Sequence, residues 1–175
     1  KQDVWIELND DLTAFEKIKV LNHIIFNLHD FKGDREDYHN PKNSFLNRVL
    51  DSKKGSPLSI GILYAIIAQG LDIPLYGVNL PHHFILAYED EFLANFAPEE
   101  MATPGILFYV NTFSKGAVFG KQDVLDFLKQ IELEPKEDYF KPCNNITIIT
   151  RMITNICYAY QKVNKPEKEA HFKNL

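Results

Sequence analysis

Cysteine is nearly absent from these 175 residues: Cys143 and Cys157 are the only two. There is no C-x-x-C, no H-E-x-x-H and no spaced His/Cys cluster, so the sequence carries no zinc signature and calls for no cofactor. The two thiols are 14 residues apart in what reads as one helical region. Their Cα atoms would then be roughly 20 Å apart, too far for a disulfide. Two reduced cysteines point to a cytoplasmic protein. Long apolar runs are missing as well. None approaches the roughly 20 residues that cross a bilayer, so no membrane partner is expected. The opening KQDVWIEL is not a signal peptide, although a chain that does not begin with Met leaves a removed targeting segment open. Basic clusters are also lacking. A net charge of -5 and a pI near 5.7 argue against nucleic acid as a partner. The charge-rich loop FKGDREDYHNPK (31–42) lacks the alternation and the sixth-position glycine of a calcium loop.

What is abundant is apolar and aromatic: 45% of the chain is hydrophobic, with 13 Phe and 8 Tyr. That suffices for one substantial core. The organising stretch is KKGSPLSIGILYAIIAQGLDIPLYGVNLPHHFIL, in which residues 55–71 carry no charge. Ser56 is a good N-cap and Pro57 falls at the first helical position. A helix apolar nearly all round is buried on every side, and about 14 residues are too few to span a membrane. Strands are expected at 75–80, 84–88, 92–96 and 106–111. Amphipathic helices are expected at 9–31, with a Thr13/Glu16 capping box, and at 43–50, 122–132 and 145–163, with a further helix from 167.

Certain residues also carry a family resemblance. They are Asn43-Ser-Phe-Leu-Asn47, Val49-Leu50, Gly55-x-Pro57-Leu-Ser59, Tyr64, Gly77-Val78 and Pro81-x-His83-Phe84. Phe31-x-Gly33 and Tyr38 precede them, and Val110-Asn-Thr-Phe113 with Gly116 follows. Together they resemble the bacterial transglutaminase-like proteins of the SirB type, over roughly residues 11–175. The resemblance implies an α+β fold: a transglutaminase/papain-like core with a buried central helix on an antiparallel sheet, flanked by N- and C-terminal helices. It implies a core over 1–135 and a tetratricopeptide-like helical segment over 136–175.

It also implies a working trio of a nucleophile at a helix start, a histidine on a strand and an Asp or Asn on the next strand. These roles fall on Ser59 or its immediate neighbours, on His83 and on Asn111. Two of the three depart from the family pattern, since serine stands for cysteine and asparagine for aspartate. His82 sits where the family usually has glycine, and is expected to be exposed. A thiolate forms readily at a helix N-terminus, whereas a serine hydroxyl depends wholly on a strong adjacent base. A serine there also has ordinary work in satisfying free backbone N–H groups. Two readings follow. One is a non-catalytic, degenerate domain that binds a protein or peptide partner through its cleft or its C-terminal helices. The other is a cofactor-independent hydrolase or acyl transferase acting through Ser59, His83 and Asn111. The residues lean toward the first, and leave the oligomeric state open.

Overall fold

A computed structural model describes residues 1–9, 11–90 and 105–174. The chain starts with α1 (Gln2–Glu7), which the sequence reading left out. Only Val4 is buried there, with Trp5 and Ile6 exposed, so no apolar stripe announces the helix. Helix α2 (Ala14–Asn22) begins at the Thr13/Glu16 capping box. The single helix expected at 9–31 then changes character: His23–Leu28 is a π-helical stretch, closed by His29 N–H donating to Ile24 O. Its wider turn lets three successive residues, Ile24, Ile25 and Phe26, face the core.

A short parallel bridge joins β1 (Lys32–Gly33) to β2 (Lys54–Gly55). Between them lie a 3₁₀ turn (Pro41–Ser44) and α3 (Leu46–Ser52). Helix α4 (Pro57–Gln69) follows, with Ser56 as N-cap and Pro57 at its start. At its middle the buried Tyr64 hydroxyl donates to Asn22 Oδ1 at 2.9 Å, and Asn22 Nδ2 donates to Gly116 O at 2.9 Å. This chain of bonds ties α2, α4 and the turn after the third sheet strand together. Gly116 has φ +73°, and a Cβ there would sit 1.7 Å from Asn22 Oδ1, so only glycine fits.

Four antiparallel strands form a meander: β3 (Leu75–Val78), β4 (Ile85–Glu89), β5 (Ile106–Asn111) and β6 (Ala117–Phe119). The last was not expected from the sequence; the strand expected at 92–96 lies outside the described residues. Alternation along the strands divides their side chains between two cores. Phe84, Leu86, Tyr88 and Val110 pack with Ile18, Leu21, Ile60 and Tyr64 of the α2/α4 layer. Ile85, Ala87 and Tyr109 pack with Val124 and Leu128 of α5 (Lys121–Gln130). Each such fully buried aliphatic or aromatic side chain contributes about 1.5–3 kcal/mol relative to exposure. The fold is therefore the expected α+β core, with a second helical layer on the sheet's far face.

Helix α6 (Asn145–Lys162) is capped by Asn144 and lays Ile148 and Met152 against the α4 layer. Helix α7 (Pro166–Lys173) folds back on it, stacking Phe172 on Tyr160 at 5.8 Å. Cys143 precedes α6 while Cys157 lies within it, so the two do not share a helix; both are free thiols. Among the described residues no helix is long and apolar enough to cross a membrane.

Candidate functional site

Ser59 sits in the first turn of α4 and is 1% exposed. Its Oγ accepts from Ser56 N at 2.9 Å, while its own N–H donates to Ser56 Oγ at 3.2 Å, a reciprocal capping box. The hydroxyl donates to Asn43 O at 2.5 Å, with Ser56 O a second acceptor at 3.2 Å. Asn43 is itself held by Nδ2 donating to Asp37 O at 2.8 Å. The Ser59 side chain thus clamps the 3₁₀ turn onto the start of α4. Its one proton is directed at a backbone carbonyl.

His83 and Asn111 come together, but beneath the other face of the sheet. Phe84 packs toward α4, so its neighbour His83 points toward α5, where its ring meets Phe127 edge-on with centroids 4.9 Å apart. Asn111 is in the same phase, and both line a small cavity of about 160 Å³ with Asp123. The Asn111 Oδ1 is occupied, accepting from Phe113 N at 3.1 Å and Ser114 N at 3.3 Å as the cap of a 3₁₀ turn. Asp123 accepts from Gly120 N at 2.8 Å. Burial holds the His83 imidazole below its ordinary pKa, with Arg151 and His82 pushing the same way. A lowered pKa suits a neutral, proton-accepting ring. The described structure places no nucleophile beside it.

On the α4 face, in phase with Phe84, the residue after Asn111 turns inward. Thr112 is 1% exposed, and its Oγ1 has no hydrogen-bond partner among the described residues. Gly61 of α4 admits this contact, since a Cβ there would lie 2.7 Å from Phe84 Cδ1 and 3.5 Å from Thr112 Oγ1.

A larger cleft of about 540 Å³ opens between the start of α4 and α6. Sequence reasoning did not find it. Its walls include Tyr38, His39, Ser56, His82, Arg151 and Tyr158. His82 is exposed, as expected, and holds φ +59°, a left-handed conformation that favours glycine and costs other residues about 1 kcal/mol or more. The signal for this position was present in the departure from the family's glycine. Arg151 was legible only as one polar residue on a helix stripe. Its Nη1 donates to Asn79 Oδ1 and to Leu80 O at 2.8 Å, and burial draws its pKa down from the usual arginine value.

A family model described as the transglutaminase-like superfamily matches residues 1–154. The chain belongs to that superfamily. The UPF0162 protein of Xylella fastidiosa (strain 9a5c) is 24% identical over 160 residues, covering 88% of this chain and 52% of that protein. The UPF0162 protein of Pasteurella multocida (strain Pm70) is 35% identical over 85 residues, 49% of this chain and 32% of that one. F-box only protein 21 of Homo sapiens is 38% identical over 71 residues, 41% of this chain and 11% of that protein. The chain thus spans about half, or much less, of the curated relatives it matches. No solved structure matches it significantly.

The three residues on which the resemblance places a catalytic trio divide into one and two. The serine caps a helix on one side of the sheet, and the histidine and asparagine share a cavity on the other. General-base catalysis needs base and nucleophile within about 3 Å or bridged by one water. What the α4 face offers instead is a polar, aromatic-walled cleft with one guanidinium in its wall.

Proposed function

We propose that this chain is a degenerate, SirB-type transglutaminase-like domain that works by binding rather than by catalysis. The cleft between α4 and α6 receives a small ligand or a peptide end, and the 136–175 segment forms one wall of it. The observation that carries this reading is the Ser59 hydroxyl, buried and donating to Asn43 O. A hydroxyl so engaged, in a turn it helps to close, has no adjacent base to raise its nucleophilicity. The position of His83 against Phe127 supports the same reading. A hydrolase or acyl transferase acting through Ser59, His83 and Asn111 would need the capping box opened and the sheet crossed.

A serine-reactive fluorophosphonate separates the two readings. The binding reading expects the chain's intact mass to be unchanged after treatment. A single adduct on Ser59, lost in Ser59→Ala and slowed in His83→Ala, would establish the hydrolase reading in its place.

A further inference from the structure

The cleft between α4 and α6 has a chemical bias that narrows its ligand. Arg151 is the one permanently charged side chain in its wall, and no Asp or Glu lines it. Among the described residues no carboxylate pairs with this guanidinium. Its Nη1 is used by Asn79 and Leu80, which fix the group's position. That leaves the donors on Nε and Nη2 without partners among the described residues. The Cys143 thiol and the Tyr38 hydroxyl lie near enough to bear on it electrostatically, and neither is a carboxylate. A partly desolvated cation is ordinarily paired, so an unpaired one facing a cleft points to an anion arriving from outside. The surrounding polar side chains, including His39, His82 and Asn155, can donate hydrogen bonds.

The rest of the wall defines the ligand's body. Pro57, Leu58 and Phe84 supply a buried apolar floor. Tyr158 and His39 stand edge to face with ring centroids 5.6 Å apart, forming an aromatic side. A volume of about 540 Å³ lies in the range of small-molecule sites. One formal positive charge matches a monoanion better than a dianion, and a guanidinium fork matches the two oxygens of a carboxylate. The start of α4 adds positive potential but is not the anchor, because its capping box already satisfies Ser59 N–H.

We propose that this cleft binds an organic carboxylate, its two oxygens on Arg151 and its apolar or aromatic body against Phe84, Pro57 and Tyr158. The proposal rests on the binding reading above and names its ligand class. A free carboxylic acid and the C-terminus of a peptide present the same chemistry.

The test uses N-acetyl-phenylalanine, its amide, phenyl phosphate, and the acid and amide of acetyl-Gly-Gly-Phe. Calorimetry gives affinity, and the ring-proton NMR signals of His39 and His82 give location. The acids should bind about tenfold or more tighter than their amides, as expected for a charge-assisted hydrogen bond. They should also shift the His39 and His82 signals. Tighter binding of the tripeptide acid would assign a peptide terminus, and equal or weaker binding a free acid. Arg151→Gln should abolish the preference for acid over amide; because it also releases Asn79 and Leu80, its melting curve is recorded alongside. Tyr158→Ala, at an exposed position, should weaken both acids without altering the melt.

Equal binding of acid and amide would overturn the proposal. So would phenyl phosphate binding at least as tightly as the acids, or no saturable binding of either acid below about 10 mM. If the acids fail to bind while the fluorophosphonate leaves Ser59 unmodified, only the ligand class falls. If the fluorophosphonate labels Ser59, the binding reading itself falls.

Discussion

The two faces of the β4–β5 sheet make an instructive contrast, because neighbouring residues are given opposite work. On the α5 face, His83 and Asn111 meet around a cavity of about 160 Å³, with a carboxylate, Asp123, beside them. On the α4 face lie Phe84, Thr112 and the clamped Ser59, next to a cleft more than three times as large. A catalytic trio of Ser59, His83 and Asn111, as the resemblance implies it, would need one residue from the second face with two from the first. A strand alternates its side chains, so a shift of one residue in phase moves a histidine from one side of a sheet to the other. The tandem His82-His83 spans that boundary: one lines the cleft and the other faces Phe127. Residues that a sequence resemblance groups together can thus stand on opposite sides of a wall.

The largest expected break in this contrast comes from truncating Phe84. It is 2% exposed and packs against Gly61, so Phe84→Ala should cost about 3–5 kcal/mol in urea unfolding. His83→Ala, one residue away, should cost about 1 kcal/mol, being half-buried beside a small cavity. Equal costs would mean that the two faces are not distinct in packing.

Next in size is the clamp. Ser59→Ala removes the acceptor for Ser56 N–H in the capping box and the bond to Asn43 O, and should cost about 1–2 kcal/mol. Amide exchange should rise in the 41–44 turn and the first turn of α4, and stay unchanged around Phe127. Exchange rising equally on the α5 face would show that Ser59 and His83 are coupled after all.

These costs frame what could be read from the chain alone. The Thr13/Glu16 box and the Ser56-Pro57 helix start were legible because capping is a local exchange between side chain and backbone. So was α4, whose uncharged run has one physical outcome. The phase of His82 and His83 was not legible. Pro81 and the positive φ of His82 interrupt the strand period, so alternation could not be counted into β4 from either side. The clamp of Ser59 on Asn43 spans 16 residues and the β1–β2 bridge spans 22, and neither leaves a periodic trace. Arg151 is a single polar residue on a long amphipathic helix; its role depends on Asn79 and Leu80, about 70 positions away.

The smallest expected effect is one of pH. Burial lowers the folded His83 pKa, so below the ordinary value of about 6.5 the unfolded chain takes up that proton first. The contribution of His83 to stability is whole above that pH and declines as pH falls toward the folded pKa. The charged and titratable groups bearing on it are Arg151, His82 and Asp123. Between about pH 8 and about pH 5, the drop in urea midpoint should be smaller in His83→Gln than in the unaltered chain. An identical drop in both would place His83 in a solvent-like environment and remove the buried α5 face from the comparison.

The separation of Ser59 from His83 is tested most directly by putting a thiol at the serine position. The variant is Ser59→Cys in a chain also carrying Cys143→Ser and Cys157→Ala. Alkylation of the single thiol by iodoacetamide is followed against pH, alongside NMR titration of the His83 ring. Separation predicts slow alkylation that rises only near or above the ordinary thiol pKa of about 8.5, with the His83 titration unchanged. Rapid alkylation well below neutral pH, with the His83 pKa raised by about one unit or more, would reveal a coupled thiolate–imidazolium pair. That result would contradict the account and return the site to catalysis.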